Sequence, residues 1–209
     1  MAQFFSVHPE HPQPRLMRQA AEIMRDGGLV AFPTDSAYAL GGHLGDAKLL
    51  ERIRRIRGVG DRHHFTLMVR DLSEISAYAR VDNTQFRLLK AATPGPYTFI
   101  LEGTRELPRR LLHPKRKTIG LRVPEHPVVA LLLEELNEPI LTSTLILPDE
   151  DLPMIDAEDI RDVLGKQLDL VIEGGACPGE ATTVIDLTGG SPELVRAGKG
   201  DLALFGLEE

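Results

Sequence analysis

The chain has no tryptophan, one cysteine, and aromatic residues at only 5% of its 209 positions. One thiol, Cys177, cannot form an internal disulfide, so a reducing, cytoplasmic setting is expected. Cys177 sits beside Pro178 with no activating base nearby in sequence, and reads as an inert thiol. No apolar run approaches the roughly 20 residues of a membrane span, so no membrane partner is expected. Met1-Ala2-Gln3-Phe4-Phe5-Ser6 has neither a basic start nor a long apolar stretch, and no signal peptide is expected there. Seven histidines and the lone cysteine show no metal-ligand spacing, and the adjacent His63-His64 cannot easily share one ion, so no protein metal site is expected. Gly174-Gly175-Ala176-Cys177-Pro178-Gly179 lacks the Gly-Lys-Ser/Thr end of a P-loop, and no Gly-x-Ser-x-Gly elbow occurs. Internal repeats, low-complexity runs and long linkers are also missing.

What remains is an ordinary globular composition, 42% hydrophobic and 26% charged, of a size that one domain over 1–209 would use. The net charge of −7 is unevenly spread. Residues 1–133 carry 20 Lys/Arg against 13 Asp/Glu, whereas residues 134–209 carry 4 against 18. A chain split this way can hold a basic anion-binding face while being acidic overall, or simply carry a solvated acidic second half.

Strand and helix patterns alternate. After a turn-rich lead-in over 7–14, Leu16, Met17, Ala20, Ala21, Ile23 and Met24 recur at helical spacing until Gly27-Gly28. Asp46 reads as the N-cap of a helix to about Arg57, with Leu49, Leu50, Ile53 and Ile56 inward. Further helices are expected over 73–79, 83–91, 128–136 and 157–167, and strands over 28–32, 65–69, 97–101, 118–123, 139–146, 169–173, 183–187 and 194–196. The pattern gives an α/β fold with a mixed, parallel and antiparallel sheet.

The organising stretch is Gly28-Leu29-Val30-Ala31-Phe32-Pro33-Thr34-Asp35-Ser36-Ala37-Tyr38-Ala39-Leu40-Gly41-Gly42. An apolar strand stops at Pro33, four polar residues follow within five positions, and the glycines read as a loosened backbone ahead of a helix. Ligands of open α/β sheets gather at such strand ends. Next, Arg52, Arg54, Arg55 and Arg57, with Arg62, His63 and His64, offer either a phosphate site or a solvated helix face. A second cluster, Arg105, Arg109, Arg110, Lys115, Arg116 and Lys117, either grips RNA phosphates without reading sequence or is a charged connection; it has no interleaved aromatics for base stacking. Arg122, between Leu121 and Val123, lies inside an apolar strand and needs an anion, from the protein or from a substrate.

Pro33-Thr34-Asp35-Ser36-Ala37-Tyr38-Ala39-Leu40-Gly41 resembles the opening motif of the YrdC-type family, the threonylcarbamoyl-adenylate synthases, and more specifically their YciO branch. The likeness continues through Ile119-Gly120-Leu121-Arg122-Val123-Pro124, Thr142-Ser143-Thr144-Leu145-Ile146, Ala181-Thr182-Thr183-Val184-Ile185-Asp186 and Leu194-Val195-Arg196-Ala197-Gly198. It implies a twisted mixed sheet with surrounding helices and a concave basic cleft. It also implies a reaction joining L-threonine, bicarbonate and ATP into threonylcarbamoyl-AMP with release of pyrophosphate, helped by Mg²⁺, as a step in tRNA modification. By this resemblance Arg55, Arg57 and Arg122 are the catalytic cations. Thr34 and Ser143 hold threonine or its carbamate, and Arg55, Arg57, Thr144, Thr183 and Arg196 surround the nucleotide. Two positions depart from the family pattern: Arg55 stands where its Lys-x-Arg has Lys, and Ile146 where its Ser-x-Asn has the amide, and an isoleucine makes no hydrogen bond. Two other functions therefore stay open: a double-stranded RNA or tRNA binder without catalysis, gripping through Arg109, Arg110, Lys115, Arg116 and Lys117, and a nucleotide or adenylate hydrolase.

Overall fold

The computed structural model describes residues 1–60 and 63–207; Arg62 of the first basic cluster lies outside them. In chain order the elements are β1 (Gln3–Ser6), α1 (Pro14–Arg25), β2 (Val30–Phe32), β3 (Ala39–His43), α2 (Ala47–Arg57), β4 (Thr66–Met68), α3 (Leu72–Tyr78), α4 (Asn83–Ala92), β5 (Tyr97–Glu102), β6 (Thr118–Arg122), α5 (Pro127–Leu136), β7 (Ile140–Thr144), α6 (Ala157–Leu164), β8 (Leu170–Glu173), β9 (Thr183–Asp186) and β10 (Glu193–Arg196). Local chemistry sets their ends. Pro14 opens α1, the Asp46 carboxylate accepts the Lys48 N–H at 2.8 Å at the start of α2, and Gly58 closes α2 in the left-handed region. Asp82 and Gln85 form a reciprocal capping box on α4.

The strands make one ten-stranded sheet in the order β1-β8-β2-β3-β7-β4-β6-β5-β9-β10. β1–β8, β2–β8, β4–β6 and β5–β9 are parallel, and the other pairs are antiparallel, so the sheet is mixed as expected. Side chains alternate between two faces. On one face Leu40, Leu67, Phe99, Leu121, Leu141 and Ile185 meet Leu49 and Ile53 of α2, Ile75, Leu89 and Ile160. On the other, Val30, Phe32, Ile140, Leu170 and Ile172 meet Met17 and Met24 of α1 and Val128, Val129 and Leu132 of α5. Burying aliphatic side chains of this size contributes about 1.5–3 kcal/mol each.

Two strands escape the sequence reading. β3 contains the glycines taken for a loosened backbone, which lack strand propensity. They are required by packing: a Cβ on Gly41 would lie 2.8 Å from Ile140 Cγ2 and 2.9 Å from Phe32 Cε1. β1 is only four residues long and extends the sheet edge beside β8. α6 also stops three residues before the expected end.

Candidate active site

The face that carries α1 and α5 changes character along its own strands. Met68 of β4 and Ile140 of β7 still belong to the apolar core. Two residues away, Thr66, Thr142 and Thr144 occupy the same face, joined by Gly120 of β6, Thr98 and Ile100 of β5 and Val184 of β9. The register puts Thr66 between Gly120 and Thr142. A Cβ at Gly120 would lie 2.9 Å from Thr66 Oγ1 and 3.3 Å from Thr98 Cγ2, so a side chain there would fill the floor. Above this hydroxyl-rich floor is a cleft of about 310 Å³, lined also by Arg57, His63, His64, Ser143, Ile146, Thr182 and Arg196.

Arg57 comes from the last turn of α2, on the side of the helix that Ile53 and Ile56 bury. Its guanidinium donates to Ser143 Oγ at 2.7 Å, and His63 Nε2 lies 3.0 Å from the same oxygen. Arg57 Nε is buried without a hydrogen-bond partner. Burial, and then repulsion from Arg196, lower its proton affinity. His63 is pushed down to about 4 by burial and by Arg57, His64 and Arg54, so it is neutral near pH 7. His64 is lowered by burial and by His113, on which its ring stacks at 4.8 Å. Arg196 stands at the exposed edge, donating to Thr182 O at 2.9 Å and Thr182 Oγ1 at 3.1 Å. Thr182 in turn shares a 2.9 Å hydrogen bond with Thr98.

The floor continues into a narrow end of about 20 Å³ lined by Ser36, Tyr38, Thr66, Thr98, Thr142, Thr144 and Arg122. Arg122 is 4% exposed and pairs with Asp35, which also accepts the Glu125 N–H at 3.2 Å. Burial lowers the Arg122 proton affinity, and Asp35 opposes that shift. Its Nε has no partner. A buried guanidinium with an unpaired N–H gains from any acceptor brought within its reach. Cys177 is buried beside this pair, its thiol pushed up to about 11 by burial, which leaves it protonated and unreactive.

Several expected site residues are therefore brought together: Arg57, Arg122, Ser143, Thr144 and Arg196 line one continuous depression. Three others are not. Arg55 is exposed on the solvent side of α2, because residues two apart on a helix face different directions. Thr34 is 2% exposed, and its hydroxyl donates to Ala37 O at 2.7 Å while accepting the Ser36 and Ala37 N–H groups at 3.1 and 3.2 Å. It organises the turn and has nothing left for a ligand; Ser36 lines the narrow end instead. Thr183 is fully buried, donating to Gly200 O at 2.8 Å and accepting the Gly198 N–H at 3.1 Å. Its neighbour Thr182 faces the cleft, the one-residue shift that strand alternation imposes.

The second basic cluster lies on an exposed connection between β5 and β6. Arg110 donates to Gly45 O at 2.6 Å, Arg116 pairs with Asp186 and donates to Thr188 Oγ1 at 2.9 Å, and Lys117 donates to Pro114 O at 2.7 Å. Arg109 and Lys115 are exposed. The structure thus gives three of the six cations internal work, Arg105 being exposed as well, and leaves the cluster beside, not inside, the cleft. Ser36 and His63 were read only as members of the polar turn and of the first basic cluster, and Thr66, Thr98 and Thr182 were not foreseen as cleft residues. Thr66 and Thr98 lie on β4 and β5 and Thr182 just before β9, and the pairing register that brings these strands together is not written locally in the sequence.

No helix among the described residues is long and apolar enough to cross a membrane. A family model covering Sua5, YciO and YrdC, described as telomere recombination, matches residues 22–198. The YciO protein of Escherichia coli (strain K12) is 56% identical over 205 residues, covering 98% of this chain and all of that protein, and the crystal structure of E. coli YciO superposes with a TM-score of 0.95. A threonylcarbamoyl-AMP synthase of Pyrococcus abyssi is 29% identical over 184 residues, 87% of this chain and 54% of that protein. The crystal structure of P. abyssi Sua5 complexed with L-threonine matches with a TM-score of 0.86 at 27% identity, over 93% of this chain and 57% of that one. The open mixed sheet is thus that of a known lineage, and the chain belongs to the Sua5/YciO/YrdC family.

Proposed function

We propose that the cleft binds ATP and joins L-threonine and bicarbonate into threonylcarbamoyl-AMP, releasing pyrophosphate. The observation that carries this reading is the meeting of Arg57 and Arg196 over a floor of threonine hydroxyls that runs to the buried Arg122–Asp35 pair. Two guanidiniums close enough to depress Arg57 are a stored repulsion that a polyphosphate relieves. Thr98, Thr144 and Thr182 supply hydroxyls to phosphate oxygens, and the Arg122 guanidinium, which lines the narrow end, attracts a carboxylate or carbamate oxygen there. With about 20 Å³, the narrow end admits the polar end of a substrate and leaves the rest in the wider cleft. Likeness to a threonylcarbamoyl-AMP synthase, and to a Sua5 structure complexed with L-threonine, supports this choice of substrate.

In this reading the threonine amine condenses with bicarbonate, losing water, and the carbamate oxygen attacks the α-phosphorus of ATP as pyrophosphate leaves. The chain's work is positioning and charge neutralisation: Arg57 and Arg196 hold the phosphates, and Arg122 orients the carbamate. Among the described residues the cleft lining contains no carboxylate, and no trio of His, Cys, Asp or Glu could hold a metal. A resident Mg²⁺ does not fit this lining. The ion belongs to the substrate, as counter-ion of ATP. Ile146 lines the cleft where an amide would donate a hydrogen bond, so turnover is slower than an asparagine would allow.

Incubation with ATP, Mg²⁺, bicarbonate and threonine, following pyrophosphate and threonylcarbamoyl-AMP together, tests the reading. Product from the native chain, about 100-fold less from Arg57→Ala and more from Ile146→Asn, is expected. No product from the native chain, or equal product from Arg57→Ala, would overturn it; AMP released without threonine would instead indicate a hydrolase. Exposed Arg109 and Lys115 favour RNA as an additional partner. Binding of duplex RNA or tRNA that weakens steeply with salt and with Arg109→Ala would support that.

A further inference from the structure

The nucleotide reading assigns no role to His63, which lines the cleft. Its Nε2 lies 3.0 Å from Ser143 Oγ, the same oxygen that receives the Arg57 guanidinium at 2.7 Å, and its ring meets Phe65 edge-on at 5.2 Å. The side chain lines both the 310 Å³ cleft and a smaller recess shared with Arg54, His64, Arg110 and His113. From the geometry we infer that His63 is a phosphate-binding residue that becomes imidazolium only when the nucleotide enters, so that ATP is taken up together with a proton. The inference rests on the proposed nucleotide site.

The charges around the ring set its protonation state. α2 presents Arg57 and Arg54, the adjoining loop presents His64, β7 presents the neutral Ser143 hydroxyl, and β10 presents Arg196 across the cleft. The connection between β5 and β6 adds Arg110 and His113 to the neighbouring recess, while Asp186 of β9 bears on His64. After burial, the described groups that lower His63 are Arg57, His64 and Arg54. An imidazolium there would be a further positive charge among guanidiniums, so the empty cleft holds the ring neutral. ATP opposes the repulsion while leaving the ring buried. Its phosphates neutralise Arg57 and Arg196 and put negative charge within reach of the ring, which then gains more from a proton than it loses by desolvation. Neutral imidazole avoids adding to the repulsion in the free protein, and imidazolium adds a charge-assisted hydrogen bond to the bound one. A permanent cation at this position would carry the repulsion in both states. As pyrophosphate departs with added negative charge, the protonated ring stays against it.

Titration calorimetry of ATP into the native chain at about pH 7, in buffers of contrasting ionisation enthalpy, counts the protons taken up. His63→Gln, whose amide can still hydrogen-bond Ser143 Oγ, is the comparison, and it also cancels proton exchange by ATP itself. The native chain is expected to take up more protons per ATP than the variant, by between about half and one. The His63 imidazole signals in a nuclear magnetic resonance titration should move to the protonated position on ATP addition. ATP binding with equal proton counts in the two proteins, or with unmoved His63 signals, would overturn this inference alone. If ATP does not bind the native chain at all, the nucleotide reading fails and this inference with it.

Discussion

The two halves of one sheet face make an instructive contrast. Where β8, β2 and β3 cross it, Val30, Phe32, Leu170 and Ile172 are sealed under α1 and α5. Where β4, β6, β5 and β9 cross it, the corresponding positions are Thr66, Gly120, Thr98 and Val184, and the cleft lies over them. β7 spans both, reading Ile140 at the covered end and Thr142 and Thr144 at the open one. The same alternation serves both halves. Side-chain chemistry decides which half is core and which is site, since hydroxyls left under an apolar helix would lack partners, whereas over a cleft they meet water or ligand.

The contrast can be broken at its deepest point. Asp35→Ala leaves Arg122 buried and uncompensated and should cost about 3–5 kcal/mol, measurable by urea denaturation. A loss under about 1 kcal/mol would mean that Arg122 reaches solvent and that the narrow end is not the enclosed place described. Leu132→Ala probes the covered half: about 2–5 kcal/mol of stability should go, with ATP affinity unchanged within twofold. A large affinity loss from that variant would show that the halves are not independent.

Acid sharpens the comparison because it acts on the histidines in and near the site. His63, His64 and His126 all have depressed proton affinity in the folded chain, chiefly through burial. Below about pH 6.5 the unfolded chain binds protons that the folded one refuses, so stability falls as the pH drops towards about 4, where His63 protonates in the folded state too. His63→Gln should flatten that slope in denaturation curves recorded between pH 7 and 4; an unchanged slope would contradict the burial of the ring. Smallest of all, Arg55→Ala should alter product formation by less than twofold, since Arg55 faces solvent. A drop like that of Arg57→Ala would return Arg55 to the site.

Much of this was legible in the chain. Asp46 and Gly58 bracket α2, Pro14 opens α1, and the apolar runs at 97–101 and 118–123 became β5 and β6. The misses have physical causes. β3 is written in glycine because Phe32 and Ile140 leave no room for a Cβ, and close approach of strands is invisible to propensity. Arg55 and Arg57 look equivalent in sequence, but helix rotation sends one into the cleft and the other to water. Thr182 and Thr183 are both threonine, and only register tells that the first faces the cleft. His63 was read as one of a basic cluster and not as a partner of Ser143, which lies 80 residues away.

The central claim is that the open half of this face is a nucleotide site gripped by Arg57 and Arg196. A crystal structure of the chain with a non-hydrolysable ATP analogue and Mg²⁺ tests it most directly. The phosphates should lie between those two guanidiniums, over Thr98, Thr144 and Thr182, with the ion on the phosphates and no carboxylate ligand from the cleft. An analogue bound elsewhere, or a cleft left to solvent at saturating analogue, would contradict the account.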